Sequence, residues 1–191
     1  MAVLALAGCT TSASSDGGGG QTTTQTSSDS GGEAEHFASE AEVRQISDGP
    51  AEEATVEMTM LSEEDPVFAP EVAWVKPGGS VTWKNVDEEE HTATAYAAAN
   101  DDPQRIPDGA SAWDSGRLET DATYTQTFDT EGVYDYYCVP HEGLGMVGVV
   151  IVGNPDLSGQ PAMASLQEDI PKKARDQLSD LHERVRSQLS G

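Results

Sequence analysis

Residues 53–153 are predicted to form an all-β Greek-key sandwich, on three observations. Short runs of β-branched and aromatic residues recur through this stretch. Gly, Pro, Asn and Asp clusters punctuate them. Seven or eight such runs fit within about 100 residues, the spacing of a sandwich rather than of alternating strands and helices.

The runs follow in order. ATVEMTM (54–60) alternates apolar and polar residues, the period of a strand with one buried face. VAWVK (72–76) ends at Pro77-Gly78-Gly79, a turn signature, and SVTWKN (80–85) resumes the pattern. HTATAY (91–96) is the next run, followed by a long loop through NDDPQRIPDGASAWDSG. ATYTQTF (122–128) alternates cleanly, and GVYDYYC (132–138) and VGVVIV (147–152) complete the set. Trp74, Trp83, Phe128 and Tyr134 are the expected aromatic core.

The flanks read differently. Residues 1–8, MAVLALAG, are apolar, and Leu6-Ala7-Gly8-Cys9 resembles the lipobox at which a lipoprotein precursor is cut and its new N-terminal Cys acylated. The apolar run is short and has no Arg or Lys ahead of it, so residues 1–8 read as a truncated signal segment. Cys9 is then the expected lipid anchor to the membrane. Residues 9–52 are rich in Ser, Thr, Gly, Gln, Asp and Glu. So few apolar side chains cannot offset the entropy of ordering, and a disordered tether is expected, with His36 solvated within it. Residues 154–191 are expected to form a linker and an amphipathic C-terminal helix. Ala174, Leu178, Leu181, Val185 and Leu189 recur on one helical face within 163–189, and Pro171 suits a helix start. Lys172, Lys173, Arg175, Arg184 and Arg186 make up half of the chain's 10 basic residues. A basic helix in so acidic a chain is expected to lie back on the sandwich. Its removal with residues 160–191 is expected to lower the melting temperature modestly.

Composition excludes some functions. With 34 acids against 10 bases, the formal net charge is −24. That argues against nucleic-acid binding, which needs Lys and Arg for phosphate. Acidity spread along the whole chain is the surface expected where concentrated salt screens self-repulsion. The acid run Asp87-Glu88-Glu89-Glu90 reads first as part of that solvated face and second as a docking patch. No stretch in the chain is long and apolar enough to read as a membrane span.

The chemistry concentrates in YYCVPHEGLGM, which sets Cys138, His141 and Met146 at Cys-x2-His-x4-Met spacing between two strands. His91 lies 47 residues before Cys138. One thiolate, two imidazoles and a weak thioether form the ligand set of a single blue (type 1) copper ion. Zinc rarely accepts Met, so Met146 favours copper. Pro140 removes a donor and stiffens the loop. Gly143, Gly145 and Gly148 let the chain pass closely around the site.

These motifs resemble the plastocyanin-like cupredoxins, and most closely the halocyanins, the plastocyanin-like proteins of salt-loving archaea. The resemblance rests on KPGGSVTWKN, HTATA, PDGASAWDSG and TFDTEGVYDYYCVPHEGLGMVGVVIV, across residues 54–153. Pseudoazurins share the copper-loop spacing. Many plastocyanins carry Asn after the first ligand His, whereas Thr92 stands here, leaving the backbone N–H to bond the Cys sulfur. The resemblance implies a monomeric one-electron carrier and no enzyme activity. It implies that electrons pass through His141, exposed within an apolar patch including Gly143, Leu144 and Gly145, with Tyr137 as a remote electron port. The implied partners are membrane or soluble redox proteins acting as donor and acceptor. The implied place is the outer face of the cell membrane.

Overall fold

The computed structural model describes residues 37–190. The proposed cleavage site, Cys9 and His36 lie outside them. Seven strands form the body: β1 (Ala51–Ser62), β2 (Asp65–Ala69), β3 (Val72–Asn85), β4 (Thr94–Ala95), β5 (Thr123–Phe128), β6 (Gly132–Tyr137) and β7 (Val147–Val152). The ladder runs β2-β1-β3-β7-β6-β4, with β5 on β3. β3 joins the two layers. Its residues 72–75 pair in parallel with β7, while residues 80–85 pair with β1 and β5. The chain changes layer at Pro77-Gly78-Gly79, where Gly78 takes a φ of 80° that only glycine adopts without strain.

Alternation within each strand sorts side chains between two cores. Val56, Met58, Val75, Trp83, Tyr134, Tyr136, Val150 and Val152 meet between the layers. Trp83 lies 5.7 Å from Trp113 and 5.2 Å from Tyr136, ring centre to ring centre. Trp74 instead faces outward, with Val72, Val133, Val147, Val149 and Ile151. That outer face is covered by the C-terminal helix, so β6 and β7 are buried at every position. A strand buried on both faces is continuously apolar rather than alternating, which is the pattern of VGVVIV.

A short helix before the sheet and a longer one after it frame this body. α1 (Glu40–Arg44) is closed by a capping box between Ser39 and Glu42 and buries Val43. It falls in the stretch expected as polar tether. A single cap and one buried valine, docked beside Ala69, are enough to order it there. α2 (Lys172–Leu189) begins after Pro171 and buries Ala174, Leu178, Leu181, His182 and Val185. The basic helix does lie back on the sandwich. It is shorter than the periodicity of 163–189 suggested, because only a 3₁₀ turn, Pro161–Met163, precedes it.

Candidate metal centre

The site lies at one end of the sandwich. β6 delivers Cys138 at its end, the 3₁₀ segment Val139–Leu144 carries His141, and Met146 leads into β7. The loop is cross-tied by its own backbone. Cys138 N–H donates to Met146 O at 3.0 Å, His141 N–H to Cys138 O at 3.0 Å, and Met146 N–H to His141 O at 3.2 Å. Gly145 closes the turn at φ 93°. Gly148 serves the core instead: a Cβ there would come within 2.4 Å of the Tyr136 ring on the neighbouring strand.

His91 sits at the mouth of a second connection, bridged to Leu118. Its Nδ1 lies 3.6 Å from Cys138 Sγ and 3.1 Å from His141 Nδ1; His141 Nδ1 is 3.4 Å from the same sulfur. The three donor atoms fall within 4.8 Å of one another. Met146 is buried in the same apolar cluster as Cys138. Desolvation pushes the Cys138 thiol up to about 11, against hydrogen bonds from Thr92 and His141 that favour the thiolate. It also holds His91 below its ordinary value, despite the Asp87 carboxylate. A neutral imidazole and a sulfur without solvent suit a borderline-soft ion that displaces the thiol proton. The donor set therefore fits one copper.

Thr92 does more than the sequence comparison with Asn suggested. Its N–H donates to Cys138 Sγ at 3.3 Å. Its hydroxyl accepts from Val139 N–H at 2.8 Å and lies 3.0 Å from Thr94 Oγ1, which in turn donates to Asp114. The threonine thus ties the His91 segment to the Cys138 loop. Tyr137 stacks on Tyr96 at 4.4 Å and donates to Asp102 at 2.6 Å; Tyr96 donates to Glu142 at 2.8 Å. Burial raises both phenols well above the usual tyrosine range.

Two features escaped sequence reasoning. Asp87 Oδ2 lies 3.0 Å from His91 Nε2, a signal present in the four-residue spacing Asp87 to His91. His182 is the second. It is buried on α2 with Nε2 2.9 Å from Asp135 Oδ1, and only the helical register could have announced it.

Residues 53–153 match the family described as copper binding proteins, plastocyanin/azurin family. Chloroplastic plastocyanin of Tetradesmus obliquus is 39% identical over 90 residues, covering 45% of this chain and 58% of that protein. Halocyanin of Natronomonas pharaonis is 31% identical over 108 residues, covering 56% and 61% respectively. The chain thus spans under two thirds of either relative's length. The crystal structure of pseudoazurin from Methylobacterium extorquens AM1 superimposes with a TM-score of 0.55 at 27% identity, covering 70% of this chain and 98% of that one. The fold, the convergent donors and the family match agree: this chain belongs to the copper-binding proteins of the plastocyanin/azurin family.

Proposed function

We propose that the chain is a one-electron carrier whose copper is held by His91, Cys138, His141 and Met146. The observation that supports this most directly is the convergence of two imidazole nitrogens and one thiol sulfur within 4.8 Å at the end of a rigid sandwich. Copper bound there supplies reversible Cu(I)/Cu(II) exchange. The residues supply its conditions. Backbone ties within the copper loop and the Thr92 bridge hold the donors in one arrangement, so little has to move when charge changes. Copper(II) titration of the purified protein tests the reading. One equivalent should be taken up with an intense visible band that bleaches on reduction and returns on reoxidation. Uptake without such a band, or bleaching that does not reverse, would overturn it.

His141 is the route for the electron. Its ring is only slightly exposed. Val139 and Leu144, on the same 3₁₀ segment, are 51% and 44% exposed, and exposed apolar side chains gathered on one segment mark an interaction surface where scattered ones would not. An apolar collar around a ligand edge suits brief docking by a donor or acceptor redox protein. Leu144→Glu should slow exchange with such a partner about tenfold or more while leaving the visible band in place. Stopped-flow exchange rates equal to wild type would count against this route. Tyr137 is the second proposed port; its hydroxyl is engaged by Asp102 rather than free.

An enzyme with further copper centres is the less favoured reading. The chain has four histidines. Two converge on Cys138, and His182 is committed to Asp135. Storage or delivery of copper is disfavoured by the burial of Cys138 and Met146. No helix among the described residues is long and apolar enough to cross a membrane. Attachment to the outer face of the membrane in a salt-rich setting rests on the lipobox-like LAGC and on the charge of −24. Mass spectrometry of the mature protein should show a diacylglyceryl-modified Cys9 as the first residue. An unmodified Cys9, or retention of residues 1–8, would refute the anchor.

A further inference from the structure

We propose that the acidic run ahead of His91 supplies an outer shell to the metal site, with Asp87 positioning His91 and Glu89 adding its charge beside His141. This rests on the ligand reading above. A solvated charge run would leave its carboxylates free, and Asp87 is not free. Its side chain is 14% exposed and its Oδ2 meets His91 Nε2 at 3.0 Å. Its N–H donates to Asn85 Oδ1 at 2.9 Å, its carbonyl accepts from Thr120 Oγ1 at 2.9 Å, and its Oδ1 accepts from Glu88 N–H at 2.6 Å. Asn85 is wholly buried and spends its amide on the same turn, donating to Glu89 O at 2.7 Å and Leu118 O at 2.9 Å. A buried amide thus holds a carboxylate at the outer nitrogen of a buried imidazole.

The chemical consequence is specific. By accepting from Nε2–H, Asp87 selects the tautomer whose Nδ1 lone pair points toward Cys138 Sγ. The negative charge behind the ring makes it a stronger donor and favours the more highly charged metal state. Glu89 adds only its charge, from the open side, with Oε2 3.3 Å from His141 Nε2. Being 68% exposed, it is screened and acts more weakly.

Three variants separate these roles. D87N keeps an acceptor but loses the charge, so the visible band should persist. Its preference for Cu(II) over Cu(I) should fall about tenfold, an upward shift of about 59 mV in reduction potential for one electron. D87A loses the acceptor as well and should bind Cu(II) about 10- to 100-fold more weakly. E89Q should shift the potential in the same direction by much less. Apo-protein melting measured on D87N separates a tuning effect from a folding one and is expected to match wild type. A D87N potential equal to wild type would overturn the proposal even if D87A failed to fold. A wild-type protein that takes up copper without a visible band would overturn the ligand reading and this inference together.

Discussion

Cys138→Ser should abolish the visible thiolate band of the copper-loaded protein and leave the fold standing. The sulfur is the donor that both imidazole Nδ1 atoms approach most nearly in common, at 3.6 and 3.4 Å. A serine hydroxyl is too weakly acidic to replace a thiolate and offers no charge-transfer transition in the visible. The variant is close to isosteric, and Thr92 N–H still has an acceptor in the new oxygen. The loss of stability is therefore expected to stay within about 1–3 kcal/mol, the range for burying a hydroxyl with partial compensation. Titration with copper(II), read in the visible, against denaturation of the apo form checks both halves. A stable intense colour in the serine variant would remove Cys138 from the site. The thiol's position also fixes the sign of a pH effect. With burial holding it at about 11 in the apo protein, loading releases its proton. Apparent copper affinity should then fall by about tenfold for each pH unit lowered from about 11 toward neutrality, where that proton is the one displaced.

The meeting of His91, Cys138 and His141 was legible in the sequence because most of its spacing is local. Cys138 and His141 share one loop, and the pairing of β4 with β6 brings the His91 segment beside it. Most strands were legible too, since ATYTQTF and ATVEMTM alternate over one buried and one open face. What sequence reasoning lost were contacts between distant segments and short elements with weak pattern. β2 has five residues and a proline, and HTATAY keeps only Thr94 and Ala95 in a ladder. Trp113 looked like loop, yet it packs between Trp83 and Phe128 because the long connection feeds this ring into the core between the layers. The acid run read as solvated surface because charge alone does not reveal that Asn85 anchors it from within. Helix α2 was visible as an apolar stripe, but the size of its role was not. The outward face it covers contains Val147, Val149 and Ile151, each buried. Removing residues 160–191 would bare all of them, so the loss of stability should be large rather than modest.

The polar element under that helix makes the sharper test. Asp135, on β6 three residues before Cys138, has no solvent exposure. It accepts from Arg105 Nε at 2.7 Å and lies 2.9 and 3.0 Å from His182 Nε2 through its two oxygens. Arg105 is equally buried and also donates to Gln167 Oε1 at 2.9 Å and to the Ala162 carbonyl. The Asp135–Arg105 pair therefore joins the long loop, the strand that delivers Cys138, the segment after β7 and helix α2. Burying such a pair need not stabilise a protein, because desolvation offsets the attraction, but removing one partner leaves an uncompensated charge inside. Asp135→Ala should consequently lower stability by about 3–5 kcal/mol. That is a large share of the roughly 5–15 kcal/mol that holds a domain of this kind together. Asp135→Asn should cost less, since an amide oxygen still accepts one of the two donors. The double variant Asp135→Ala, Arg105→Met should recover part of the loss, because no cation is then left buried. Denaturant unfolding at one fixed high salt concentration measures all three. A loss below about 1 kcal/mol in Asp135→Ala would place the pair among ordinary surface ion pairs. A double variant no better than the single one would show that packing, rather than the orphaned guanidinium, carries the effect.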